Sequence, residues 1–223
     1  MQFDVSMVAP VAREAFERMH VDTLNFAVLF GILIATGVGY DVVATWYSDL
    51  ALAYQIGFLF ANLIIQAWAT LSILDGAGIA PVRPWKLRIG SMFGVGLLSG
   101  LGIGLGLVLL ILPGVYLAGR WFLAVPILLA EDMSVSDALS QSWERTENTW
   151  LSCSTIVVVA FAWQLAPIAG GLFVETPNVA GQWGWMLLSN TFSQAGWLFG
   201  VVAAATFYIA LGRRQSGVAE IFG

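Results

Sequence analysis

The stretch GLLSGLGIGLGLVLLILPG, residues 96–114, decides the fold class, because its glycines suit either a phosphate-binding loop or an apolar helix. A nucleotide-binding G-x-G-x-x-G loop needs a preceding strand, a following helix and a polar mouth for the phosphates. Here Leu, Ile and Val flank the glycines on both sides, and the spacing differs from that fingerprint. The stretch is therefore predicted to be a membrane helix.

The glycines of this helix are spaced for close packing. Gly96, Gly100 and Gly104 lie four residues apart, which is the small-xxx-small pattern that lets two membrane helices approach closely. Gly102 and Gly106 share the spacing. We predict a helix-packing seam along Gly96, Gly100 and Gly104.

The composition indicates a membrane protein. Of the 223 residues, 59% are hydrophobic and 10% are charged, whereas soluble domains carry about 25% charged residues. The net charge of −5 and the lack of a basic stripe predict no nucleic-acid partner. The single cysteine, Cys153, excludes an intrachain disulfide and a multi-cysteine metal site. We expect membrane lipids as partners, and no metal or cofactor.

Six apolar runs are long enough, or nearly so, to cross a bilayer as helices, which takes roughly 20 residues. They cover residues 23–40, 51–74, 89–112, 115–130, 150–172 and 184–211. Pro113 and Gly114 separate the third run from the fourth without a polar loop. Proline and glycine favour a tight helix hairpin there, the alternative being one kinked crossing.

The charges support the hairpin. With it, eight of the nine basic residues lie on one side of the membrane: Arg13, Arg18, Arg83, Lys86, Arg88, Arg145, Arg213 and Arg214. The opposite loops carry Asp41, Asp49 and Glu175, and no basic residue. The positive-inside rule then predicts six crossings with both termini in the cytoplasm.

Two amphipathic helices, residues 8–21 and 134–149, are predicted to lie in the cytoplasmic interface. The second opens with Ser134-x-x-Asp137, which is typical of a capping box. The tripeptides at 16–18 (FER) and 143–145 (WER) resemble each other. They favour a weak internal repeat, the alternative being two unrelated helices. The predicted fold is one all-α polytopic membrane domain, residues 1–223.

Residues 112–143 (LPGVYLAGRWFLAVPILLAEDMSVSDALSQSW) resemble a bacterial membrane-domain family. The resemblance lies in Pro113-Gly114, Tyr116, Arg120, Pro126, Glu131, Ala138-Leu139 and Ser142-Trp143. The family comprises the membrane domain attached to some glycerophosphoryl diester phosphodiesterases and related stand-alone inner-membrane proteins. The resemblance implies a bacterial inner-membrane location. It does not imply hydrolysis, because that activity belongs to a separate soluble barrel with metal-binding carboxylates and histidines.

Polar residues within the crossings are the candidate functional groups. Arg120 is a candidate for binding an anionic lipid headgroup, because an intramembrane charge is costly. Its structural alternative is to cap free carbonyls near residues 109–112 or to reach toward the interface. A polar helix face comprises Gln55, Asn62, Gln66 and Thr70, with a smaller patch at Asn190, Ser193 and Gln194. Such residues serve either as interhelical glue or as the lining of a cavity.

No catalytic constellation can be assembled from the sequence, so we predict a non-enzymatic scaffold or interaction module of the inner membrane, as part of a membrane complex. The alternative is a lipid or small-solute carrier that uses the polar face and Arg120. A hydrated cavity joining that face to Arg120 would favour the carrier. A dry, close-packed bundle would favour the scaffold.

Overall fold

The computed structural model describes residues 5–81, 84, 88–171 and 179–222, and this part of the chain contains helices and no strands. The helices are α1 (Val8–Val21), α2 (Thr23–Trp46), α3 (Ser48–Asp75), α4 (Ile89–Leu109), α5 (Ile111–Arg120), α6 (Ala124–Ala130), α7 (Val135–Arg145), α8 (Trp150–Gly171) and α9 (Val179–Phe222). The all-helical prediction is confirmed for these residues.

Five segments are long and apolar enough to cross a membrane: residues 23–46, 48–75, 89–109, 111–130 and 181–213. A sixth is counted if α7 and α8, which meet at an angle of 110°, form one bent span. Since about 20 apolar residues cross the hydrocarbon core as a helix, these lengths indicate a polytopic membrane protein.

Helix α9 lies at the centre of the bundle and contacts α1, α2, α3 and α8. Its run of small residues at 201–206 (VVAAAT) is buried throughout, because small side chains let the neighbouring helices approach. Phe207 follows, and it is buried in a hydrophobic cluster that includes Val11 of α1 and Leu123. Helix α1 therefore packs into the bundle through one face, and its Arg13 stays exposed.

The predicted hairpin exists, but it turns earlier than predicted. Leu110 breaks the helix with an extended backbone (φ −161°, ψ 140°), so α4 ends at Leu109 and not at residue 112. Pro113 and Gly114 lie in the first turn of α5. Proline is tolerated there because the first amides of a helix have no acceptor within it. Helices α4 and α5 pack against each other directly.

The prediction that Gly96, Gly100 and Gly104 form the packing seam is wrong, because another face of α4 contacts α5. A Cβ atom added at Gly96, Gly100 or Gly104 would meet no heavy atom within 4 Å. The close approach is at Gly106 instead, where a Cβ would lie 2.8 Å from the backbone nitrogen of Gly114. Both rows of glycine, Gly96/Gly100/Gly104 and Gly102/Gly106, have the same four-residue spacing in the sequence. The turn at Leu110 determines which face of α4 meets α5.

The predicted fourth crossing, residues 115–130, consists of two helices separated by a turn at residues 121–123. Ser142 of α7 bridges the break: its hydroxyl donates to the Arg120 carbonyl at 2.8 Å and accepts from the Leu123 amide at 3.1 Å. Thr146 also donates to the Arg120 carbonyl, at 3.1 Å. A backbone break inside an apolar segment needs such partners, because unpaired polar groups are costly in lipid.

Other boundaries shift by a few residues. Helix α1 matches its predicted bounds, and α7 ends at Arg145 instead of residue 149. The predicted cap of α7 is confirmed, since the Ser134 hydroxyl accepts from the Asp137 amide at 3.3 Å. Helix α2 continues six residues beyond its predicted end at residue 40, so Asp41 lies within a helix and not in a loop.

Candidate functional site

A cavity of about 370 Å³ lies between α3, α4, α8 and α9, and we call it the central cavity. Most of its wall is apolar. The polar side chains that line it are Gln66, Thr70, Ser99 and Gln164. Its volume is within the range of about 300–1,000 Å³ that small-molecule sites have.

A second cavity, the lateral recess, measures about 340 Å³ and lies between α2, α8 and α9. Its lining is more polar than that of the central cavity. It consists of Asp41, Gln164, Pro167, Trp185, Ser189, Asn190 and Ser193. Gln164 contributes to the lining of both cavities.

Two glutamine amides in these cavities lack partners within the protein. Among the described residues, neither Gln66 nor Gln164 makes a side-chain hydrogen bond. Polar groups away from bulk solvent are nearly always hydrogen-bonded to protein, water or ligand. The two amides are therefore free to hydrogen-bond with water or with a bound molecule.

Asp41 enters the recess because α2 continues past it. Its Oδ2 accepts a hydrogen bond of 2.7 Å from the Nδ2 of Asn190, which also donates to the Met186 carbonyl at 2.9 Å. The close contact between α2 and α9 depends on Gly37, where a Cβ would collide with the side chains of Asn190 and Gln194. Glycine at this position thus brings the carboxylate and the amide together.

The predicted polar face divides into separate environments. Gln66 and Thr70 line the central cavity, whereas Gln55 is exposed on the outside of α3. The Asn62 amide donates to the Phe58 carbonyl of its own helix at 2.8 Å. On α9, Asn190 lines the recess, and Gln194 packs at the α2 contact. The structure therefore brings only part of the predicted set to a cavity.

Sequence reasoning missed Asp41, Gln164 and Trp185 as site residues. The sequence predicts a loop at Asp41, because the apolar run predicted to cross the membrane covers residues 23–40. The signal for a longer helix was present in the apolar run that follows, which reaches Trp46, since tryptophan is enriched at membrane interfaces. Gln164 is an isolated polar residue in a long apolar run, and nothing in the sequence showed which way it faces.

Arg120 lines neither cavity. Only 4% of its surface is exposed, and its guanidinium carbon lies 4.3 Å from the centre of the Trp143 ring and 5.8 Å from that of Tyr116. No described residue accepts a hydrogen bond from its Nε atom. The structural alternative, in which Arg120 caps the carbonyls at 109–112, is not found among the described residues. The guanidinium instead stacks on aromatic rings.

Several arginine ion pairs lie at the end of the bundle away from the lateral recess. We call this end, with Arg18, Arg88, Arg145 and Arg213, the basic end. Arg145 binds Glu131 through two contacts of 2.6 and 2.9 Å, and Tyr208 donates to the same carboxylate at 2.8 Å. Burial by itself would raise the pKa of Glu131, but the hydrogen bonds from Arg145 and Tyr208 outweigh it and hold that pKa below its usual value. This cluster is a fixed ion pair that joins α7 and α9.

Arg88 makes a similar connection at the start of α4. Its guanidinium donates to the Leu128 carbonyl at 2.6 Å and to the Asp132 carboxylate at 2.6 Å. Arg88 therefore donates to a carbonyl at the end of α6, where the last carbonyls of a helix have no hydrogen-bond donor within the helix. Both arginine clusters connect helix ends. A further cavity of about 380 Å³ lies beside them, and Arg145, Tyr208 and Arg213 are among the residues that line it.

Comparisons of the chain with protein-family models, with curated proteins and with solved structures find no match.

Proposed function

We propose that the protein is a non-enzymatic, multi-pass membrane protein that carries a small polar solute through the central cavity and the lateral recess. The observation that supports this proposal is the pair of unpartnered amides, Gln66 and Gln164, of which the second lines both cavities. No Cys, His or Lys lines either cavity among the described residues. The polar lining consists of amides, hydroxyls and the Asp41 carboxylate, and it is suited to hydrogen bonding with a solute.

We further propose that the chain lies in a bacterial inner membrane with both termini in the cytoplasm. The clustering of basic residues at one end of the bundle supports this orientation through the positive-inside rule. The resemblance of residues 112–143 to an inner-membrane domain family supports the location. Helices α1 and α7 would then lie at the cytoplasmic side, as amphipathic helices do.

A scaffold that packs against other membrane proteins is the second candidate. It is favoured by the open face of α4 at Gly100 and Gly104, where an added Cβ atom would meet no heavy atom within 4 Å. Small residues on a helix face allow another helix to approach closely. The position of Arg120 outside both cavities also favours the scaffold. A carrier is expected to have a cavity that joins the polar face to Arg120.

The accessibility of Gln164 to water tests the carrier. Because Cys153 is the single cysteine, a Cys153→Ala protein accepts one new reporter thiol. We expect a charged, membrane-impermeant thiol reagent to label Gln164→Cys in reconstituted vesicles, since a thiolate forms only where water reaches it. The matched control is Val158→Cys on the exposed apolar side of the same helix, which should stay unlabelled.

Labelling at both positions would show that α8 is exposed to water along its length and would contradict the membrane assignment. Labelling at neither position would mean that the cavities are dry. The carrier would then be wrong, and the scaffold would be preferred.

A further inference from the structure

We propose that the lateral recess binds a protonated amine, with the carboxylate of Asp41 as its counter-ion. This inference rests on the proposed function and specifies the chemical class of the solute. It follows from three features of the recess: an uncompensated negative charge, an aromatic wall and hydrogen-bond acceptors arranged around a space larger than a metal ion.

The charge of Asp41 has no partner of opposite sign in the described part of the chain. Its side-chain hydrogen bond comes from the neutral amide of Asn190. The arginines in the described ion pairs lie elsewhere, most of them at the basic end. On α9, the 18 residues from Asn190 to Tyr208 correspond to about 27 Å. A carboxylate within a membrane helix is costly, so a cationic ligand would stabilise it.

The walls of the recess suit an ammonium group. An ammonium has three donors and no acceptor, and the Asp41 carboxylate and the Ser189 hydroxyl provide oxygen acceptors around the same space. Trp185 forms part of the wall, and tryptophan is the side chain that binds organic cations best over its ring face. A carboxylate and an aromatic ring in the wall of one recess are a combination that can recognise a positive charge attached to an apolar group.

The size of the recess argues against a bare metal ion. Oxygen-coordinated ions such as Ca²⁺ need about six to eight ligands at 2.3–2.6 Å. A space of about 340 Å³ with a proline and a tryptophan in its wall leaves room for several non-hydrogen atoms beyond one ion. The solute therefore carries a small apolar part next to its ammonium group.

Protection of a thiol placed in the recess tests this proposal. In the Cys153→Ala protein, Ser193→Cys places the reporter in the recess wall. For each variant we compare labelling rates with and without n-propylammonium, in detergent and in vesicles. We expect saturating n-propylammonium to slow labelling by about tenfold or more, because a ligand that fills its site covers most of the surface there and keeps the reagent from the thiol. Equimolar 1-propanol, the neutral analogue, and sodium chloride should not slow it.

The role of Asp41 is tested in the same assay. Asp41→Asn keeps a similar shape and removes the charge, so protection by n-propylammonium should be lost. Asp41→Glu keeps the charge and should protect. Gel filtration in detergent confirms that each variant remains monodisperse. Protection by 1-propanol equal to that by the amine, protection by sodium, or full protection in Asp41→Asn would each overturn the amine site.

The two proposals fail separately. Labelling of Gln164→Cys with no amine protection at residue 193 would leave the carrier in place and reject the amine. Amine protection with an unlabelled Gln164→Cys would retain the recess as a binding site and reject the route through the central cavity.

Discussion

Arg120 carries a charge that no described acidic residue neutralises. Its guanidinium stacks on Trp143 at 4.3 Å, and a cation–π contact that is shielded from water contributes about 2 kcal/mol or more. Burying an unpaired charge costs several kcal/mol. The aromatic ring therefore offsets a penalty, and the arginine adds little net stability.

This balance predicts unequal effects of removing the two partners. Trp143→Leu leaves the guanidinium buried without its ring, and we expect it to lower the free energy of unfolding by about 2–4 kcal/mol. Arg120→Met removes the charge together with the need for the ring, and we expect a change of less than about 1 kcal/mol. Denaturant or thermal unfolding in detergent would measure both.

The double variant completes the cycle, because Trp143→Leu should cost less in the Arg120→Met background than alone. A larger loss from Arg120→Met than from Trp143→Leu would show that the guanidinium binds an additional group, such as the lipid anion considered from the sequence.

Sequence reasoning identified Arg120 as unusual but not its partners. A charge within an apolar run is visible in the sequence. Trp143, however, lies 23 positions further along, on a helix that the sequence assigned to the membrane surface. For Asp41 the error concerns the helix itself. The sequence predicts that the helix ends before Asp41, whereas α2 continues to Trp46. In both cases tertiary packing decided how the charge is accommodated.

At the scale of elements, the α4–α5 hairpin shows what a periodic pattern can and cannot predict. The composition of residues 96–114 was enough to exclude a phosphate loop and to predict two packed helices. The register of the contact depends on the turn at Leu110, which has no glycine or proline of its own. Which of two interleaved glycine rows is buried was therefore not predictable.

The two rows of glycine provide a matched test. Gly106→Ala places a methyl group 2.8 Å from the Gly114 backbone, and overpacking of this kind typically costs about 1–3 kcal/mol. Gly104→Ala meets only open space and should be neutral or stabilising by up to about 1 kcal/mol, since alanine favours helix. The melting temperature in detergent measures the difference.

Equal destabilisation by both substitutions would mean that the face of Gly104 is also packed in the protein. A second helix on that face, from another copy or another protein, would then be the explanation, and the scaffold would gain support.

At the scale of the whole molecule, the charges are divided between two ends. Arg18 contacts the Ile73 carbonyl near the end of α3, and Arg213 pairs with Glu14 at 3.2 Å. The middle and the last turn of α1 are thereby held to the last part of α3 and to the second half of α9 at the basic end. Asp41 lies toward the opposite end of the bundle. The sequence predicts a division of the charges between two sides of the membrane. Arg83, Lys86 and Glu175 of that prediction lie outside the described residues.

The two ends of α3 provide a direct test of the proposed orientation. The helix runs from Ser48 to Asp75, about 42 Å at 1.5 Å per residue, and this exceeds the hydrocarbon thickness of about 30 Å. In the Cys153→Ala background, an impermeant thiol reagent added to intact bacteria that express the protein should label Ser48→Cys. It should label Asp75→Cys only after the cells are permeabilised, because the basic end faces the cytoplasm. Labelling of both in intact cells would show that α3 does not span the membrane, and the reverse pattern would show that the bundle is inserted the other way round.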